Sequence, residues 1–200
     1  MKSRFGRRRF LFLLAGLFAA LAGVLAGLLG RGKDEDKERA PSKPTGALPS
    51  GPWRFSAGAR AVIERATERI LPSDDGPGAA EARVIDYVEL ALATEYWAGS
   101  REPFEAWAAR FDEIAARDWK APGFVELEPQ AADFVLEHVQ SGGADSDGLS
   151  GAAFVHDLVV LTLEGFLGDP IHGGNAGEVG WAYIGYVPGA PRPGACGHGG

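Results

Sequence analysis

Residues 150–167 read SGAAFVHDLVVLTLEGFL. Phe154, Val155, Leu158, Val159, Val160, Leu161, Leu163 and Phe166 make this the most apolar segment outside the N-terminus, with no broad polar face. The β-branched pair Val159-Val160 taken alone suits a strand. The length and the Ala and Leu content favour a helix. A helix without a polar face belongs at the centre of a fold. No alternating strand pattern of any length occurs elsewhere in the chain. The expectation is an all-α protein, a small antiparallel bundle of about five helices with 150–167 inside.

Four further segments carry helical spacing. Residues 57–71 place Ala59, Val62, Ile63, Ala66 and Ile70 on one face, with Ser56 as N-cap and Pro72 as terminator. Residues 80–97 put Val84, Val88, Ala91, Leu92 and Tyr96 on one stripe and turn Asp86 and Glu89 to water. Residues 103–119 start on Pro103 and align Phe104, Trp107, Phe111 and Ile114. Residues 129–140 bury Ala132, Val135, Leu136 and Val139, and Gly142-Gly143 closes them.

The central helix runs into residues 164–189, EGFLGDPIHGGNAGEVGWAYIGYVPG. This is a Gly-rich loop, yet it carries Trp181, Tyr183, Ile184 and Tyr186. A solvated loop has no need of such anchors. The loop is therefore expected to be ordered, packed on its own helices or on another chain. Asp169-Pro170 ends the helix and Gly173-Gly174-Asn175 redirects the chain.

The N-terminus is of a different kind. Lys2, Arg4, Arg7, Arg8 and Arg9 precede twenty-one uncharged residues, 10–30. This is a basic region followed by an apolar one, a secretory signal or an anchor. Arg7, Arg8, Phe10 and Leu11 fit the twin-arginine export signal, with Gly6 where Ser or Thr is usual. That route carries folded proteins, so a cofactor-bearing passenger is implied. Ala20-Leu21-Ala22 fits a cleavage site, and retention as an anchor stays open. Residues 31–52 are expected to be a flexible, charged and Pro-rich linker, residues 53–189 the helical domain and 190–200 a disordered tail.

Composition, 46% hydrophobic and 24% charged, fits one soluble domain. The whole chain carries a net charge of −7; beyond residue 31 there are 14 basic and 27 acidic residues. Such a body does not suit nucleic acid or an anionic membrane surface. The lone cysteine, Cys196, leaves a free thiol or an interchain bridge open.

Catalytic patterns are sparse. His138, His156, His172 and His198 sit in no zinc spacing. His156 beside Asp157, with Glu164 two turns on, is an acid/base candidate, although carboxylates on such a helix more often face water. Asp145-Ser146-Asp147-Gly148 opens like a calcium loop, but the closing glutamate is replaced by His156. Residues 173–177 lack the lysine and spacing of a phosphate cradle. Catalytic, cofactor-binding and metal residues are thus expected to be absent from this chain.

The residues resemble the small subunit (subunit 3) of gluconate 2-dehydrogenase and related membrane-bound flavoprotein dehydrogenases. The resemblance rests on 70–79 (ILPSDDGPGA), 84–87 (VIDY), 164–170 (EGFLGDP), Gly173-Gly174-Asn175, Gly180-Trp181 and 184–186 (IGY). It departs at His172, where the family has Tyr, and after Gly189. It implies a non-catalytic subunit. FAD would sit in a large subunit of the glucose-methanol-choline (GMC) type, and a cytochrome c subunit takes the electrons in many such complexes. The small subunit would help the large one fold and bring it, through the twin-arginine translocase, to the periplasmic side of the inner membrane. The expected partner interface is Phe166, Asp169, Pro170, Gly173, Gly174, Asn175, Gly180, Trp181 and Tyr186. Two other readings stand beside it: an exported hydrolase using His156, Asp157 and Glu164, and a tethered interaction domain with no redox link.

Overall fold

The computed structural model describes residues 53–146 and 148–189, and a compact unit begins at Phe55. Among the described residues there are six α-helices and no strand: α1 Ala57–Ile70, α2 Val84–Ala93, α3 Arg101–Ile114, α4 Pro129–Gln140, α5 Gly151–Leu167 and α6 Val179–Ile184. None of them is long and apolar enough to cross a membrane. The export signal and the 190–200 tail lie outside the described residues.

Local chemistry sets the helix ends. Ser56 Oγ accepts from Ala59 N at the start of α1, and its own N–H and hydroxyl donate to Glu105 of α3 (2.8 and 2.9 Å), fixing the two helices together. Pro129 opens α4. At the start of α5, Ser150 Oγ accepts from Ala153 N, and Asp145 Oδ1 accepts from Gly151 N at 2.8 Å. The acidic loop that opens like a calcium site thus caps a helix.

Helix α5 packs against each of the other five. It buries Phe154, Val155, Leu158, Leu161, Thr162 and Phe166, while Val159 and Val160 are half-buried. Phe154 is the hub of the core. Its ring stacks on Trp107 (5.6 Å, 18°) and meets Phe104 and Phe111 edge-on (5.0 and 5.7 Å). Phe124 closes the cluster against Phe111 at 4.8 Å. Burying each such ring contributes about 2–3 kcal/mol, and edge-on pairs add about 1 kcal/mol.

Four expectations about α2 are corrected: its start, its end, and the surroundings of Tyr96 and Glu89. The helix starts at Val84, and residues 80–83 form turns with Arg83 in the left-handed region (φ 52°). The reason lies far away in sequence: the Ala82 carbonyl accepts from Ala176 N, in the C-terminal loop. The helix stops at Ala93, where the Arg101 guanidinium donates to the carbonyls of Leu92, Ala93 and Thr94. A cation there also suits the helix dipole. Tyr96 therefore leaves the apolar stripe and is 87% exposed. Glu89, expected in water, is 3% exposed; it accepts from Phe55 N and Arg60 Nε. The guanidinium also holds Asp86 (2.7 Å) and Glu64 (3.3 Å), so the buried carboxylate is paired.

Helix α3 ends in a π-turn over Ala115–Trp119, closed by Lys120 in the left-handed region. Beside it lies an open groove of about 460 Å³ bordered by Ile114, Arg117, Asp118, Trp119, Phe134 and His138. Arg117 grips Asp118 through two 2.7 Å bonds and holds its carboxyl below the usual range.

Candidate functional site

Residues 164–189 form a structured loop that folds back over the C-terminal end of α5. Asp169 Oδ1 accepts from Ile171 N and starts a 3-10 turn over Pro170–His172. Gly173 (φ 90°) turns the chain past the backbone of Asp86. A second 3-10 turn, Ala176–Glu178, leads into α6, which ends on Gly185 in the left-handed region. Helix α6 lies in the stretch read from sequence as a loop.

Asn175 is the joint of this loop. It is 0% exposed, and it sits in the left-handed region (φ 46°), which Asn tolerates better than most residues. Its N–H donates to the Gly165 carbonyl (2.7 Å), its Nδ2 donates to the Gly168 carbonyl (2.9 Å), and its Oδ1 accepts from Gly180 N (2.8 Å). One side chain thereby satisfies a carbonyl at the end of α5 and an amide at the start of α6. The indole of Trp181 adds a third link, donating from Nε1 to the Leu167 carbonyl at 2.7 Å.

The glycines make this closeness possible. A Cβ on Gly174 would land on the Gly165 carbonyl oxygen, and one on Gly180 on that of Phe166. A Cβ on Gly165 would press on the Tyr87 ring. Tyr87 donates its hydroxyl to Glu164 Oε2 at 2.9 Å; burial and then that carboxylate push its pKa up to about 12. On the other side, Tyr183 lies over Gly76 in the 71–82 loop and meets Phe166 edge-on at 6.5 Å. That loop is braced by Glu81, which accepts from Ser73 Oγ and Gly78 N and is held below the usual carboxylate range by them.

The expected interface residues thus divide into two sets. Phe166, Gly174, Asn175 and Gly180 are buried inside the chain and shape the loop. Asp169, Gly173 and Tyr186 are exposed, while Pro170 and Trp181 are half-buried. Trp181 packs edge-on against Tyr186 at 5.1 Å. Of the loop's apolar side chains, Ile171 (78% exposed), Val187 (61%), Ile184 (57%), Tyr186 (50%) and Tyr183 (47%) reach solvent.

The acid/base candidates are placed differently. Glu164 is engaged by Tyr87, and His156 is exposed. Burial raises the Asp157 carboxyl above its usual range, with His156 partly opposing. Among the described residues no group of three or more His, Cys, Asp or Glu is placed to hold a metal ion.

The model of one protein family, described as gluconate 2-dehydrogenase subunit 3, matches residues 57–189. No curated protein and no solved structure matches the chain.

Proposed function

This chain belongs to the gluconate 2-dehydrogenase subunit 3 family, and from that premise we propose that it is the non-catalytic subunit that binds an FAD-dependent, GMC-type large subunit. In this reading it supports folding of the flavoprotein and supplies the twin-arginine signal, Arg7 and Arg8 followed by Phe10-Leu11, on which both proteins leave the cytoplasm. The complex then works at the periplasmic side of the inner membrane, with electrons passing to a haem c subunit. Flavin and substrate belong to the large subunit.

The observation that carries the proposal is the loop after α5. It is held in place by Asn175, Gly174, Gly180 and the Trp181 indole, while five of its apolar side chains stay exposed to solvent. A rigid element offering aromatics outward loses little entropy on binding, and aromatic side chains commonly dominate interface energetics. The test is purification of the full chain from membranes: a flavin-containing large subunit comes with it if the proposal holds, and the chain comes alone if it does not.

A further inference from the structure

The exposed apolar side chains of the loop belong to segments that carry one sign of charge. The two segments that build it, residues 71–82 and 164–189, contain six carboxylates (Asp74, Asp75, Glu81, Glu164, Asp169 and Glu178) and no Lys or Arg. Asp74 is exposed two residues from Gly76, over which Tyr183 lies. Glu178 is exposed directly before α6, and Asp169 is exposed beside Ile171. His172 is the sole histidine of these segments. The arginines that reach the base of this region, Arg60 and Arg83, are both ion-paired to Asp86.

Resting on the reading that this loop docks the large subunit, we infer that the partner's contact surface is an apolar patch rimmed by Lys and Arg. The carboxylate rim of this chain steers that surface in. The physical basis is that rim charges act mainly on the rate of encounter and on rejection of wrong surfaces, whereas the desolvated apolar centre sets the lifetime of the complex. The same rim repels anionic lipid, so the loop's occupant is a protein face and not the membrane surface.

The test uses the full chain and the large subunit that co-purifies with it, separated and remixed. Raising the salt from low to high ionic strength slows association by about tenfold or more, while dissociation changes little. Asp74→Asn combined with Glu178→Gln slows low-salt association in the same way and flattens the salt dependence. Both sites are exposed, and unchanged melting of the variant shows that its fold is kept. Association that is independent of salt, in a complex that still forms, overturns the charged-rim inference and leaves the docking proposal standing. Binding of the wild-type chain to phosphatidylglycerol vesicles through Ile184 and Tyr186 overturns it as well. Failure of the two subunits to associate under any condition removes the docking proposal itself.

Discussion

Asn175 and Gly180 are joined by a 2.8 Å hydrogen bond from the glycine amide to the buried side-chain oxygen. The same side chain donates to the Gly168 carbonyl, so one amide group spans the exit from α5 and the start of α6. The outward aromatics depend on this joint for their position.

Replacing Asn175 with Ala leaves the half-buried Gly168 carbonyl and the buried Gly180 N–H unpaired, at a cost of about 2 kcal/mol. The loss should be local first. Hydrogen exchange of the Gly180 and Asn175 amides speeds up, while exchange in the Phe154 core follows global stability. Equal acceleration throughout would mean that the loop and the bundle unfold as one unit.

The glycines should respond in a graded way. Gly180→Ala forces a methyl onto the Phe166 carbonyl and costs about 1–3 kcal/mol. Gly58 lies in α1 with open space around it, so Gly58→Ala should stabilise the chain by about 0.5–1 kcal/mol. Denaturant titration of the two variants, measured side by side, decides whether close approach is the reason for Gly180.

Tyr87 supplies a pH signature. Its pKa stands at about 12 in the folded chain against an ordinary 10.0, so the neutral phenol is favoured by folding. This contribution is fully present below the ordinary value and is lost as pH rises through the folded one. Thermal stability should therefore fall between about pH 10 and 12, and Tyr87→Phe should flatten that part of the profile. A profile unchanged by the substitution would show that the phenol–Glu164 bond carries none of it.

The segments legible in the sequence are those that local pattern specifies: α1, α3 and α4 are each amphipathic, and α5 is apolar nearly all round. The errors at α2 have a common cause. The Ala82 carbonyl just before it is taken by Ala176, its last carbonyls by Arg101, and Glu89 is buried against Phe55 and Arg60. All of these partners lie outside the segment, where local pattern carries no information. The order of the 164–189 loop was legible from its aromatics. The burial of Gly174, Asn175 and Gly180 was not, since a glycine that admits a close backbone approach reads like one that permits a turn.

The proposed export signal makes an independent prediction. Changing Arg7 and Arg8 together to Lys should leave both this chain and the proposed large subunit in the cytoplasm. Cell fractionation that still finds the flavoprotein in the periplasm would show that the partner travels by its own signal.

The central claim is that the outer face of the loop holds the flavoprotein. The most direct measurement is purification of the full chain carrying Ile184→Asp and Tyr186→Asp beside the wild type, from membranes, with flavin absorbance read in each. Both side chains are at least half exposed, so the bundle should melt as before. The account predicts that wild type brings the flavoprotein with it and that the double variant, equally stable, comes away without flavin. Equal flavin in both preparations would contradict it.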